Sequence, residues 1–407
     1  MSGIIIYKEL IMNLKANILA KIIVLASSLV AGSCASQTTI GNTSISDNLE
    51  LNINQLLTTH NLPGMVMLVR QNNEIIHHQA YGYADIDAQT PMSKDTLFRL
   101  YSMTKPITAL TTLQVLAEKE ITLDSSLQTI FPQFEQHSDI PLSTVMAHTS
   151  GFSYGFKINR WAGWLYLFSD IGDSQTLPEF IGHLADLPLL SEPGVRWRYS
   201  FSSDVQGAMV EELTGKKLSD NMHSRLFSKL GMLDTSFYVE AERADRLAPL
   251  YSNNWFGSSP NKKDDYEVTQ AQGAESGGSG LVSTAQDYSK FVHLLMKPEF
   301  YPDIVRSEHV ALMTTSQLPK DIPTIPERYY TNSGYGYGMG VKLKDEQYLS
   351  AGSFYWAGKG GTIFWADPKK ELSVVVMMQY EGGNKILEKE VIPMIYNWLE
   401  QRENTTH

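Results

Sequence analysis

Regularly spaced apolar positions begin near residue 49 and predict the first elements of the chain. Leu49 to Leu62 has the apolar spacing of a helix. Gly64 to Arg70 and Asn73 to Asp85 predict two strands, and the polar pair between them predicts a hairpin turn. A second helix is expected after Ser102, because mostly apolar residues recur there every three or four positions.

Helical and loop segments dominate from Leu123 to about Asp265, after which strand patterns return. The predicted strands are Gly334 to Leu343, Gly361 to Ala366 and Leu372 to Gln379. A turn at 367–370 separates the last two strands, and Ile386 to Leu399 predicts a closing helix.

This order of elements predicts an α/β fold, an α+β sandwich in which helices flank an antiparallel sheet. Residues 49–122 and 270–407 are expected to form the sheet domain, and residues 123–269 an inserted, mostly helical domain. Residues 36–48 are polar and predict a tether. The gap between two such domains is a favoured place for a pocket.

Composition narrows the function classes. The chain has 407 residues, of which 43% are hydrophobic and 19% charged, so a globular protein with a large core is expected. The net charge of −11 and the lack of a dense Lys/Arg stripe argue against nucleic-acid binding. The histidines, including His77-His78, show no metal-ligand spacing, and no cofactor is expected.

The N-terminus resembles an export signal. Lys15 and Lys21 precede the apolar run Ile22 to Ala31, which is followed by small residues. Residues 1–35 are therefore predicted to be a signal peptide, too short in its apolar part for a confident membrane span. Cys34 is the sole cysteine and resembles the lipidated residue of a bacterial lipoprotein; a plain cleaved signal is the alternative. Either reading places the protein in the periplasm or on the outer membrane.

The tetrad Ser102-Met103-Thr104-Lys105 is the main candidate for chemistry. Residues three apart on a helix are surface neighbours, so the hydroxyl and the amine can share a hydrogen bond. A serine hydroxyl becomes a nucleophile when a base removes its proton, and a neutral lysine can be that base. A helix-capping serine beside a solvated lysine is the structural alternative.

A second tetrad of the same form, Ser259-Pro260-Asn261-Lys262, lies in a polar run without apolar periodicity. We predict that it forms a loop. The first tetrad has the context that the chemistry requires, namely an apolar approach and a helix start with Pro106 in the first turns.

Further segments, in order along the chain, resemble the serine β-lactamase-related family, which includes class C β-lactamases, carboxylesterases and penicillin-binding-protein-like enzymes. They are Ser102-Met103-Thr104-Lys105, Met146-Ala147-His148-Thr149-Ser150-Gly151-Phe152, Trp197-Arg198-Tyr199-Ser200, Gly280-Leu281-Val282-Ser283-Thr284-Ala285, Trp356-Ala357-Gly358 and Phe364-Trp365-Ala366-Asp367-Pro368. The resemblance runs from about residue 50 to 400 and implies the β-lactamase/transpeptidase-like fold.

The resemblance implies roles for several residues. Tyr199 would be the proton relay beside Ser102 and Lys105, and the backbone N–H groups of Ser102 and Lys359 would form the oxyanion hole. Trp356-Ala357-Gly358 would line the site as an edge strand, where small residues let the backbone approach a substrate.

The segment His148-Thr149-Ser150-Gly151-Phe152 invites a catalytic interpretation, because His and Ser lie two apart. We assign it a structural role instead, since it ends a predicted helix and Gly151 suits a C-cap. Asp204 is expected to cap or anchor the following helix and to carry no chemistry.

Two departures from the family bear on substrate. Where the β-lactamase branch has Asn, two residues after the tyrosine, this chain has Phe201, which cannot hydrogen bond through its side chain. Where that branch has Lys-Thr-Gly, this chain has Trp356-Ala357-Gly358. An aromatic wall in place of a cation favours a neutral, apolar acyl or alcohol group.

The sequence thus predicts an exported serine hydrolase of small carboxylic esters that acts through an acyl-enzyme on Ser102. Two alternatives stay open at this point. One is a β-lactamase or a peptidase for D-amino-acid peptides with the same acylation machinery. The other is a catalytically silent envelope protein that binds peptidoglycan fragments or another protein.

Overall fold

An eight-stranded antiparallel sheet forms the centre of the fold. The computed structural model describes residues 45–155, 165–166, 169–253, 260–263, 268–326 and 331–406. The predicted signal peptide, Cys34 and tether residues 36–44 lie outside the described residues.

The strands, in chain order, are β1 (Gly64–Gln71), β2 (Glu74–Asp85), β3 (Thr90–Pro91), β4 (Phe98–Arg99), β5 (Leu250–Ser252), β6 (Asn261–Lys263), β7 (Val282–Ser283), β8 (Ser333–Tyr335), β9 (Gly340–Lys342), β10 (Phe354–Gly358), β11 (Thr362–Asp367) and β12 (Leu372–Met377). The sheet runs β3-β2-β1-β12-β11-β10-β9-β8, so the first strand pairs with the last and the two ends of the chain share one sheet. Two short ribbons, β4-β7 and β5-β6, lie beside it.

The helices are α1 (Ile45–His60), α2 (Thr104–Glu118), α3 (Leu142–Met146), α4 (Leu177–Ala185), α5 (Ser202–Thr214), α6 (Leu218–Met222), α7 (Ser228–Leu230), α8 (Ala285–Met296), α9 (Ser307–Thr314), α10 (Asn384–Ile386) and α11 (Ile392–Thr406). Short 3₁₀ and π turns join several of them; the turn Tyr101–Met103 directly precedes α2.

Strand alternation gives the sheet two apolar faces. One face packs against α1 and α11, and it includes Met67, Tyr355 and Trp365. The other packs against α2 and α8, and it includes Leu68 and Trp356. Helices therefore cover both faces of the sheet, as the sequence predicted.

A third apolar cluster lies among α2, α3, α4 and α5 and contains Phe134, Phe152 and Leu184. This part of the chain is dominated by helices and loops, as predicted. The residues from Ile45 onward form one compact unit. The division into a sheet domain and an inserted domain remains a prediction.

Several boundaries differ from the predictions. Helix α1 begins at Ile45, inside the predicted tether, because Ser and Asp residues are well tolerated in a helix's first turn. Gly334 to Leu343 is two strands rather than one: β8 and β9 reverse at Gly338, whose φ is +88°. Asn261 and Lys262 of the second tetrad lie in strand β6 rather than in a loop, while Ser259 lies outside the described residues.

Strand β10 is not the edge of the sheet, contrary to the implied arrangement, since β9 and β8 follow it. However, β9 pairs only with Phe354 and Tyr355. Among the described residues, Trp356–Gly358 therefore has a strand partner only on the β11 side, and this half of β10 behaves as an edge.

The described helices include none that is long and apolar enough to span a bilayer.

Candidate active site

Ser102 lies in a tight turn between β4 and α2. Tyr101, just before it, has a φ of +48°, a value that a bulky side chain rarely adopts. The following helix starts at Thr104 and is buried on nearly all sides, so the turn is held against the core. Ser102 itself remains partly exposed. Strained, partly exposed positions of this kind cluster at functional sites.

Lys105 lies one helical turn after Ser102, and its Nζ is 3.4 Å from the Ser102 Oγ. The lysine side chain is only 1% exposed. Its Nζ donates to the Gly278 carbonyl at 2.7 Å and lies 4.6 Å from the centroid of the Tyr199 ring. A buried amine needs such partners, because an unpaired one would be expensive to bury. The predicted Ser-Lys contact is present in the structure.

The Gly278 carbonyl, which accepts the hydrogen bond from Lys105, belongs to segment 277–281, and this segment is hydrogen-bonded to α2. Thr108 Oγ1 donates to the Gly277 carbonyl at 2.7 Å, and the Leu281 N–H donates to Thr104 Oγ1 at 3.1 Å. A Cβ on Gly277 would lie 2.4 Å from the Ser203 carbonyl oxygen, so only glycine fits there. The close approach fixes the acceptor for Lys105.

Asp204 anchors the same segment from the opposite side. Its carboxylate accepts hydrogen bonds from Ser276 Oγ at 2.5 Å, the Gly278 N–H at 3.1 Å and the Tyr154 hydroxyl at 3.4 Å. The sequence predicted a capping or anchoring role toward the helix that follows. The structure shows instead that this residue, from the first turn of α5, holds the loop whose carbonyl binds Lys105.

Tyr199 is held by aromatic neighbours. Its ring stacks near-parallel to His148, with centroids 5.4 Å apart, and to Trp197, at 6.0 Å. Tyr154 and Trp356 contact it at 5.6 and 5.7 Å. The ring therefore has little freedom to move, and Lys105 lies close to it.

Tyr154 also lies close to Lys105, whose Nζ is 5.6 Å from the ring centroid. Burial, followed by the nearby Asp204 carboxylate, raises the pKa of the Tyr154 phenol well above its usual value. This phenol therefore stays protonated and donates to Asp204. It is a poor proton acceptor.

His148 supports this cluster through hydrogen bonds. The Ser200 N–H donates to Nδ1 at 3.3 Å, which places the proton on Nε2, 3.2 Å from the Ser203 Oγ. Burial, then the positive charge of Lys105, holds the pKa of the imidazole well below its usual value. The helix before it ends at Met146, and the left-handed residue next to its C-cap is His148, with a φ of +56°. Gly151, the predicted C-cap, also has a positive φ, +95°, but lies beyond the end of the helix.

Replacing His148 by Asn is expected to flatten the pH dependence of stability. Because the folded pKa lies below the unfolded value of about 6.5, the unfolded chain binds the extra proton as pH falls below 6.5. Wild-type unfolding free energy should then drop by up to about 1.4 kcal/mol per pH unit from this residue. Urea unfolding at pH 7.5 and 5.5 measures the difference.

The matched control is His223→Asn, at an exposed position, which should keep the wild-type pH slope. An unchanged slope in His148→Asn would contradict the neutral, buried imidazole.

The end of β10 lies against the turn that carries Ser102. A Cβ on Gly358 would come within 2.3 Å of the Leu100 carbonyl oxygen, and one on Gly360 within 2.4 Å of the Tyr101 ring. Thr362 Oγ1 also donates to the Leu100 carbonyl at 3.2 Å. Lys359 stands between these glycines, in the turn after β10, with its side chain exposed and paired with Glu381 at 3.0 Å. The backbones of 358–360 and 100–102 are therefore neighbours.

The predicted substrate-contacting side chains divide between two faces. Trp356 lies on the same face as Met103, whereas Ala357 packs into the cluster on the other face, so only its backbone can face the Ser102 side. Phe201 packs against Tyr154, with centroids 4.5 Å apart, and against Phe180 at 5.6 Å. The described part of the site presents aromatic walls.

Known proteins resemble this chain in sequence and in fold. A family model described as Beta-lactamase matches residues 49–391. Esterase EstB of Burkholderia gladioli is 30% identical over 379 residues, covering 83% of this chain and 92% of its own. Lovastatin esterase of Penicillium rubens is 28% identical over 330 residues, covering 71% of this chain and 81% of its own.

Among solved structures, EstCE1, described as a hydrolase with promiscuous acyltransferase activity, superposes with a TM-score of 0.75 at 25% identity. The superposition covers 88% of this chain and all of EstCE1.

Proposed function

The chain belongs to the β-lactamase family and is a serine hydrolase, and on that premise we propose that it is an exported carboxylesterase acting through an acyl-enzyme on Ser102. The predicted family and fold are thereby confirmed. The observation that carries the proposal is the convergence of Ser102, Lys105 and Tyr199: one amine lies 3.4 Å from the serine oxygen and 4.6 Å from the tyrosine ring centroid.

In the proposed acylation, Ser102 Oγ attacks the ester carbonyl carbon as its proton moves to the Lys105–Tyr199 pair. Lys105 Nζ already donates a hydrogen bond to the Gly278 carbonyl, so we assign the role of proton acceptor to Tyr199. Tyr199 takes this proton as the phenolate, whose negative charge is stabilised by the neighbouring lysine ammonium, and becomes the neutral phenol. The same proton then passes to the departing alkoxide, which leaves as the alcohol.

The tetrahedral oxyanion needs donors fixed before the reaction. We assign this role to the backbone N–H groups of Ser102 and Lys359. Support comes from the close approach of Gly358 and Gly360 to residues 100 and 101, which brings these two turns together. Water then attacks the acyl-enzyme, with Tyr199 again moving the proton, and releases the carboxylic acid.

The aromatic walls favour neutral esters over lactams. Phe201 stands where a β-lactamase uses an amide side chain, and Trp356 stands where it uses a lysine. A site without those polar groups gains nothing from a substrate's amide or carboxylate. The names of two relatives, EstB and lovastatin esterase, describe ester cleavage and point the same way.

The purified enzyme is expected to hydrolyse p-nitrophenyl butyrate with a kcat/KM about 100-fold above that for a chromogenic cephalosporin. Phe201→Asn should lower the ratio of kcat/KM for the ester to kcat/KM for the cephalosporin, because it introduces a side chain that can hydrogen bond to an amide. Phe201→Leu is the control and should keep it. A faster cephalosporin reaction in the wild type would favour the β-lactamase alternative.

Export is part of the proposal and is supported by the N-terminal sequence, with its basic flank, apolar run and small residues up to Cys34. Mass spectrometry of the mature N-terminus in the producing cell tests it. A diacylated Cys34 indicates a lipoprotein, cleavage elsewhere before residue 49 indicates a plain signal, and an intact Met1 contradicts export.

A further inference from the structure

A cavity lies on the face of the sheet opposite Ser102. It has a volume of about 680 Å³, within the range of about 300–1,000 Å³ typical of small-molecule sites. Its floor is formed by Tyr355 of β10 and by Ile363 and Trp365 of β11. These side chains alternate with Trp356 and Phe364, which face the Ser102 side, so the two sites are separated by the sheet itself.

The floor of this cavity is apolar and its mouth is charged. Tyr355, Ile363 and Trp365 are each at most 2% exposed. The outer wall comes from α10 and the turn that joins it to α11, and it carries Lys385 and Lys389, both exposed. An apolar interior below a charged rim fits an amphipathic ligand, with its chain inside and its polar head at the mouth.

The charges at the mouth favour an anionic head group. Lys342, deeper in the wall, is already satisfied: its Nζ bonds the Glu346 carboxylate at 2.7 Å and the Thr331 carbonyl at 3.0 Å. Lys385 and Lys389 have no hydrogen-bond or ion-pair partner among the described residues. The lining holds three lysines against two glutamates, in a chain whose net charge is −11. The local excess of positive charge opposes the charge of the whole protein.

We propose that this cavity, here called the rear cavity, binds an unbranched aliphatic carboxylate. The hydrocarbon chain lies over Tyr355, Ile363 and Trp365, and the carboxylate is held at the mouth by Lys385 and Lys389. Burial of the chain supplies the affinity, and the two lysines supply the preference for an anion over a neutral ester or alcohol.

Photolabelling with dodecanoate that carries a terminal diazirine tests this proposal. The wild type and Ser102→Ala are both labelled, and the modified peptides are located by mass spectrometry. Label should appear in the segments 342–349, 363–367 or 385–392 of both proteins. In Ser102→Ala, which is not expected to hydrolyse it, the methyl ester of the probe should label these segments about tenfold less. Binding to the rear cavity needs no turnover. A failure of the labelling experiment would therefore not contradict the esterase proposal, and a lack of esterase activity would not contradict the rear-cavity proposal.

Two variants sharpen the result. Lys385→Ala/Lys389→Ala should weaken binding of dodecanoate to the rear cavity about tenfold, by calorimetry, while Lys119→Ala/Lys216→Ala, at exposed lysines elsewhere, should not change it. Ile392→Trp, which fills the cavity from the helix side, should abolish labelling of the β11 segment while circular dichroism stays native. Label confined to residues near Ser102, equal labelling by the methyl ester, or binding unaffected by both changes would overturn the proposal.

Discussion

Ser102→Ala is expected to lower kcat/KM for p-nitrophenyl butyrate by about 10⁴-fold or more, because the substitution removes the oxygen that forms the acyl-enzyme. The substitution removes one oxygen from a partly exposed turn, so stability should change by less than about 1 kcal/mol. Initial rates over a range of substrate concentrations, together with a thermal melt, give both quantities.

The chain offers a matched control for this variant. Ser259 belongs to the second Ser-x-x-Lys tetrad, so Ser259→Ala makes the same chemical change in the same local sequence pattern. It should retain full activity. Loss of activity in Ser259→Ala with retention in Ser102→Ala would move the nucleophile to the other tetrad.

Tyr199→Phe is expected to lower kcat by about 10²- to 10⁴-fold, the usual contribution of a positioned acid or base. The phenylalanine ring keeps the stacking on His148 and Trp197, so KM should change little. Steady-state kinetics separate kcat from KM.

Tyr154→Phe is the control, because this second phenol also lies near Lys105, at 5.6 Å from Nζ to the ring centroid. It donates to Asp204 rather than taking a proton, so its loss should cost less than about tenfold in kcat. The reverse order of the two effects would make Tyr154 the relay and contradict the assignment of Tyr199.

The contact between Ser102 and Lys105 was predictable because it is local. Three-residue spacing at a helix start places two side chains on one face, and the structure shows them 3.4 Å apart. The hairpin of β1 and β2 was equally local: Asn72 and Asn73 both have positive φ, as the turn between two strands requires. Periodicity and turn chemistry carry this information within a few residues.

The position of Tyr199 beside Ser102 and Lys105 could not be predicted from local sequence. It came from resemblance to a family, since a single tyrosine carries no signal of a partner about 100 positions earlier. The structure explains the placement through His148, Trp197 and Trp356, whose rings surround it. That successive side chains of strand β10 alternate between the two faces of the sheet was predictable. Which of these faces lies on the Ser102 side depends on which helices pack on each face.

The support of Lys105 by Asp204 could not be derived from the sequence. The carboxylate holds Ser276 and Gly278, 72 and 74 positions away, and the Gly278 carbonyl then binds Lys105. Such a contact exists only once α5 and the 276–281 segment pack against α2. A glycine pair followed by Gly280 was the one available signal, because closely approaching backbones need residues without a Cβ.

The most direct test of the central claim is the location of a stable covalent adduct. A p-nitrophenyl alkylphosphonate reacts by attack of the serine oxygen on phosphorus, with loss of p-nitrophenolate, and leaves a phosphonyl ester on the nucleophile. Peptide mass spectrometry of the inactivated wild type should place one phosphonyl group on Ser102, with Lys105→Ala and Tyr199→Phe labelled far more slowly. An adduct on any other residue, or full activity in a protein labelled at Ser102, would contradict the account.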